Sequence, residues 1–104
     1  MPAYVVILRE SPLKEPAKYE AYQQKTLTMR GAFPLKPLVI QGGPEALEGG
    51  IAPDSVVLLE FPTVEDAKAW YNSPEYQAAL PDRLAAADYR SFIVEGFAPP
   101  QPAS

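Results

Sequence analysis

Nine residues, AWYNSPEYQ at positions 69–77, gather Trp70, Tyr71 and Tyr76 around a serine–proline step. Rings this close in sequence suit the wall of a cleft, stacking on a flat ligand while phenolic hydroxyls bond its polar end. They suit a plain joint between packed helices equally, with polar tips reaching backbone or water. Ser73, set before Pro74 and Glu75, reads first as a helix cap and only second as a ligand contact. Upstream, Tyr19 and Tyr22 form an aromatic stripe at helical spacing. Such a stripe is ordinarily core, but a buried Tyr22 hydroxyl needs a partner and would mark a point where polar groups converge. Arg83 falls on a helical face with Tyr76 and Leu80. Its forked guanidinium suits a carboxylate ligand, and an internal ion pair with Glu60, Asp88 or Glu95 would satisfy it as well. Glu60 and Glu95 lie in strand-like segments. Enclosed in an apolar cavity either would be a candidate acid or base; at a strand end it is only a solvated charge.

What the chain lacks narrows the chemistry further. It has 104 residues with no cysteine and no histidine. Thiolate nucleophiles, imidazole bases and triads built on them are therefore excluded within one chain. Zinc sites of the Cys/His kind go with them, and neither a metal nor an organic cofactor is expected. A general acid or base must be Asp, Glu, Tyr, Lys or the terminal amine. Pro2 offers one such amine: with Met1 removed it would be an N-terminal secondary amine, the general base of tautomerase-like chemistry. The net charge of −4 and the lack of a Lys/Arg cluster argue against nucleic acid and anionic membrane surfaces as partners. No apolar run approaches the roughly 20 residues that span a bilayer. The opening MPAYVVILRES has a short apolar stretch with no basic residue before it, so no secretory signal is expected and a cytoplasmic location is.

The elements that must position these residues are marked out by 13 prolines. AYVVILRE, between Pro2 and Pro12, has the β-branched content and length of a strand. Pro16 opens a helix in which Tyr19, Tyr22, Thr26 and Met29 share one face, with Gly31 as its terminator. KPLVIQGG reads as a short strand, PEALEGGIAPD as a loop, and SVVLLEF as a third strand. GGPEALEGG has paired glycines but no strand–loop–helix context, so it is not a phosphate loop. TVED starts a helix with a capping-box pattern. Ser73–Pro74 breaks it and starts another, carrying Tyr76, Leu80, Arg83, Leu84 and Ala87 on one face, with Pro81 expected to kink or split it. SFIVEGF is the last strand, and residues 98–104 form a proline-rich tail expected to be disordered. The order β-α-β-β-α-β over residues 1–97 is an α+β, ferredoxin-like domain: a four-stranded antiparallel sheet with helices on one face. Strands YVVIL and VVLLEF are apolar at both parities, so the second sheet face also needs cover. A second copy of the chain, forming a homodimer through that face, supplies it most simply.

The blocks MPAYVV, GGPEALEG, VVLLEFPTVEDAKAWYNSPEYQ and FIVEG, in this order and spacing, resemble the domain-of-unknown-function family numbered 1330. The resemblance spans roughly residues 2–97 and is most specific over EFPTVEDAKAWYNSPEYQ. It implies the dimeric α/β-barrel superfamily, with ferredoxin-like protomers paired across their sheets. Other branches of that superfamily include cofactor-independent monooxygenases, muconolactone isomerases and heme-handling proteins; the family itself implies no established reaction. Heme ligation by a proximal histidine is closed to a chain without one. Members often carry Arg before the paired glycines of the second strand, where this chain has Gln41 before Gly42 and Gly43, leaving a polar contact but no anion-binding charge. The sequence thus points to a homodimeric small-molecule-binding domain, with or without cofactor-independent catalysis on a small aromatic or carboxylated metabolite. Tyr22, Trp70, Tyr71, Tyr76 and Arg83 are its leading site residues, with Gln41, Ser73, Glu60 and Glu95 behind them. A non-catalytic interaction module is the alternative.

Overall fold

The computed structural model describes residues 1–29 and 31–97. The tail expected at 98–104 lies outside the described residues. Seven elements follow one another: β1 (Ala3–Arg9), α1 (Pro16–Leu27), β2 (Lys36–Gly42), β3 (Ser55–Phe61), α2 (Val64–Tyr71), α3 (Pro74–Ala86) and β4 (Tyr89–Glu95). The four strands form one sheet in the order β2-β3-β1-β4, every neighbour antiparallel. This is the ferredoxin-like α+β arrangement that the sequence predicts, with the second helical segment divided in two at Asn72–Ser73.

Alternation along the central strands sets the two faces. Ala3, Val5 and Ile7 of β1 and Leu59 and Phe61 of β3 are buried toward the helices, with Trp70, Tyr76 and Leu80 packed over them. The opposite parity carries Val6, flanked by Leu58 and Phe92, and Leu8, flanked by Val56. No helix among the described residues covers that side, and Phe92 and Val94 remain 43% and 51% exposed. Edge strand β2 is irregular. Its pairing with β3 shifts register between Pro37 and Val39 and again between Val39 and Gly42. Gln41 takes a left-handed φ of 50° at this bulge, and a Cβ on Gly42 would stand 2.6 Å from Val39 Cγ1, so any larger residue there would have to displace the Val39 side chain.

Helix ends follow the local chemistry. Thr63 Oγ1 accepts the Asp66 amide and Ser73 Oγ accepts the Tyr76 amide, each satisfying a first-turn donor. The Ser73 hydroxyl also donates to the Trp70 carbonyl at 2.7 Å, tying the end of α2 to the start of α3.

Five expectations need correction. Helix α3 runs unbroken through Pro81 rather than splitting, and Leu84 lies on its exposed side because it is one step past the buried Arg83. Helix α1 ends at Leu27, four residues before Gly31, which takes its positive φ in the following turn. The face of α1 assigned to the core buries none of its residues completely; Met29 is buried, but beyond the helix. The last strand begins at Tyr89, two residues earlier than SFIVEGF implies, because β1 stays paired with β4 as far as Arg9.

Candidate functional site

Helix α1 packs along α3 rather than down onto the sheet. The amides of Lys14 and Glu15 bond the Ala86 carbonyl at 2.6 and 3.2 Å and fix its start. Lys25 Nζ, 2.6 Å from the Asp82 carboxylate, holds it further along. Between α1 and the sheet lies a cavity of about 660 Å³, within the range of small-molecule sites. Strands β1 and β3 form its floor. Tyr19 and Tyr22 of α1, Trp70 of α2, Arg83 of α3 and Gln41 of β2 contribute to its walls. The edge-strand bulge turns Gln41 across the opening, where its Nε2 donates to the Tyr19 hydroxyl at 2.6 Å.

Arg83 is the unusual member. It is 3% exposed, yet its Nε and Nη1 have no hydrogen-bond partner. The ion pair with Glu60, Asp88 or Glu95 that the sequence allowed does not form among the described residues. Asp88 pairs instead with Lys14 at 2.8 Å, and Glu60 and Glu95 are not on the cavity lining. What faces the guanidinium is soft or neutral: the Tyr89 ring, with Cζ 4.8 Å from its centroid, and the Tyr76 hydroxyl. A cation stacked on a ring recovers part of its lost hydration, but an unpaired buried charge stays costly.

The hydroxyls of Tyr22 and Tyr76 are 2.8 Å apart. Burial pushes the Tyr22 phenol far above its ordinary range, and the neighbouring Tyr76 adds to the rise. Tyr76 is also raised by burial, with the Arg83 charge opposing. Burial likewise lifts Tyr19 and Tyr89. At neutral pH this corner therefore holds protonated phenols and the Arg83 and Arg9 guanidiniums, and no base among the described lining residues.

The chain-wide comparison matches residues 2–97 to the family described as Domain of unknown function (DUF1330). The chain belongs to the DUF1330 family. No curated protein matches it. Among solved structures it is similar to the RPA0582 protein of unknown function from Rhodopseudomonas palustris. That pair has a TM-score of 0.70 at 23% identity, covering 94% of this chain and 84% of that one. It is also similar to a dimeric ferredoxin-like protein of unknown function from Bacteroides fragilis, with TM-score 0.59, 14% identity, and coverage of 91% and 96%. A third likeness is to an ethyl tert-butyl ether d (EthD) family protein from Bacillus halodurans, with TM-score 0.62, 16% identity, and coverage of 93% and 100%. At these identities the likeness concerns the fold.

Within this DUF1330 fold the sequence candidates separate into three groups. Tyr22, Trp70, Arg83 and Gln41 line the cavity. Tyr71, Tyr76 and Ser73 do not: Tyr76 is 0% exposed and packs its ring 4.1 Å from that of Trp70, so it backs the wall. Tyr71 flanks it at 5.5 Å, and Ser73 is a cap. Glu60 and Glu95 lie elsewhere on the sheet, Glu60 on the uncovered face beside Tyr4. Pro2 also lies off the lining, at the end of β1 opposite Arg9, with its carbonyl accepting the Gly96 amide at 2.6 Å. Sequence reasoning missed Arg9, Tyr19, Ser55 and Tyr89, which also line the cavity. Of these, Tyr19 carried a signal, the helical pairing with Tyr22; the strand residues had none. Among the described residues no group of three or more acidic side chains converges as a metal site, and no helix is long and apolar enough to cross a membrane.

Proposed function

We propose that this protein is a homodimeric small-molecule-binding domain whose cavity takes a carboxylated ligand, with Arg83 as its anion anchor. The observation that carries the reading is a buried guanidinium without a counter-ion on the wall of a cavity large enough for a metabolite. A bound carboxylate would supply the missing charge and accept from the free nitrogens. Binding is favoured over turnover. Among the described residues the lining holds no Asp, Glu or Lys, and its tyrosines are kept protonated, so no group there accepts a proton near neutrality. Tautomerase-like chemistry at Pro2 has no support from the cavity, which lies at the other end of β1.

The dimer part rests on the apolar sheet face formed by Val6, Leu8, Val56, Leu58, Phe92 and Val94, and on the dimeric state of a ferredoxin-like neighbour. Sheet-to-sheet packing of two protomers would cover that face and leave the two cavities on the outer sides.

Thermal unfolding of wild type, Arg83→Met and Arg83→Lys against a panel of carboxylic acids and their primary amides tests the ligand reading. The expected result is stabilisation of wild type by acids but not amides, weakened in Arg83→Lys and absent in Arg83→Met. Without ligand, Arg83→Met should be as stable as wild type or more so by about 1 kcal/mol, since it removes an unpaired buried charge. Acid-induced stabilisation retained in Arg83→Met would refute the anchor.

A further inference from the structure

Building on that reading, the geometry points to an amphipathic monocarboxylate as the ligand, its carboxylate on Arg83 and Tyr22 and its apolar tail along β3 toward Leu59. The argument begins with the floor of the cavity, which is graded along the strands. Arg9 pairs with Ser55 on one side and Tyr89 on the other, making a polar row. Two residues on, Ile7 pairs with Val57, and two further, Val5 pairs with Leu59. From Ser55 to Leu59 is about 13 Å at the usual rise of a strand. The roof follows the same gradient. Arg83 stacks on Tyr89, and Tyr19 meets Gln41, at the polar end. Leu27, Met29, Phe33 and Leu35 belong to the lining at the other end, beside Pro37, whose partner across the sheet is Leu59, while Gln23, Gln24 and Thr26 of α1 add neutral polar groups to the roof.

The polar end carries guanidiniums, hydroxyls and an amide, and no carboxylate among the described residues. A guanidinium donates and never accepts, and Nε and Nη1 of Arg83 have no partner among the described residues. Tyr76 is fully buried, and its proton needs an acceptor of its own. The two hydroxyls are 2.8 Å apart and either could donate; Tyr22 is the one side-chain partner of Tyr76 among the described residues, so the arrangement that satisfies the buried proton has Tyr76 donating. The proton of Tyr22 is then unspent, and Tyr22 lines the cavity where Tyr76 does not. Two free guanidinium nitrogens and one free phenol proton converge on an acceptor-only group, which describes an ionised carboxylate. The second guanidinium of the lining, Arg9, is already engaged: its Nη1 donates to the Ser11 carbonyl at 2.7 Å and stands 3.8 Å from Asp54. Among the described residues one acid group is therefore matched by a free guanidinium, and a second on the tail would meet no cation beside Leu27, Phe33, Leu35 and Leu59.

Calorimetric titration with straight-chain monocarboxylates from butyrate to octanoate, and with the dicarboxylate suberate, tests this. Affinity should rise about fourfold per added methylene as the tail fills the apolar end. Suberate should bind at least tenfold more weakly than octanoate. Tyr22→Phe should weaken every member by about tenfold. Leu27→Asp, at an exposed helix position that leaves the core intact, should weaken octanoate far more than butyrate. A flat chain-length series, or suberate equal to octanoate, overturns the amphipathic ligand while leaving the Arg83 anchor standing. Full octanoate binding by Arg83→Met overturns the anchor, and with it the proposed function. Unchanged binding by Tyr22→Phe removes Tyr22 from the acid end.

Discussion

The Tyr22 and Tyr76 hydroxyls meet at 2.8 Å across the gap between α1 and α3, with the two rings nearly perpendicular at 83°. The contact joins a helix that faces the cavity to one embedded in the core. The partners are unequal: Tyr76 is sealed from solvent, whereas Tyr22 is only half-buried. Removing the Tyr22 hydroxyl therefore strands a buried donor, and Tyr22→Phe should cost about 1–3 kcal/mol. Tyr76→Phe should cost less, because Tyr22 keeps access to the cavity. The double variant should lose less than the sum of the two, as no unpaired hydroxyl remains. Urea unfolding of the three variants measures this, and strict additivity would contradict the pairing.

The same pair sets a limit at high pH. Both phenols are raised in the fold, chiefly by burial. The unfolded chain ionises its tyrosines near pH 10. Above that pH the folded state holds more protons than the unfolded state, so stability falls as pH rises. Below about pH 10 both states are protonated and the contribution is fully present. Alkaline titration followed by tyrosinate absorbance should show Tyr22 and Tyr76 ionising only together with loss of structure. Their titration in a still-folded protein near pH 10 would count against the buried pair.

The uncovered sheet face makes a separate claim. Val6 stands between Leu58 and Phe92 at its centre, and a charge there would be buried in any sheet-to-sheet dimer. Leu58→Asp should leave the ferredoxin-like fold intact by circular dichroism and give a monomer in light scattering at concentrations where wild type is a dimer. Wild type that is itself monomeric at micromolar concentration would contradict the dimer.

Much of the fold was legible because it rests on local signals. The apolar runs AYVVILR and SVVLLEF became central strands, and Ser73–Pro74 set the start of α3 through capping and a fixed proline φ. The site was legible only in part, because its defining property is a relation at long range. That Arg83 lacks a counter-ion depends on where Asp88 turns its carboxylate, and Lys14, 74 residues away in the chain, decides that. The helical stripe of Tyr19 and Tyr22 was visible, but periodicity marks the inward face of a helix without saying whether core or empty space lies behind it. Here it is space. For Tyr71 and Tyr76 the error ran the other way: an aromatic cluster at a helix joint became packing, and Tyr76 reaches the site only through the Tyr22 hydroxyl.

Helix α1 completely buries none of its own residues. Substitutions over most of its surface should therefore cost little stability, the Tyr22 hydroxyl that pairs with buried Tyr76 being the exception. The core that holds the architecture lies in the sheet with α2 and α3, so one wall of the chamber can change its side chains without each change having to be compensated in that core.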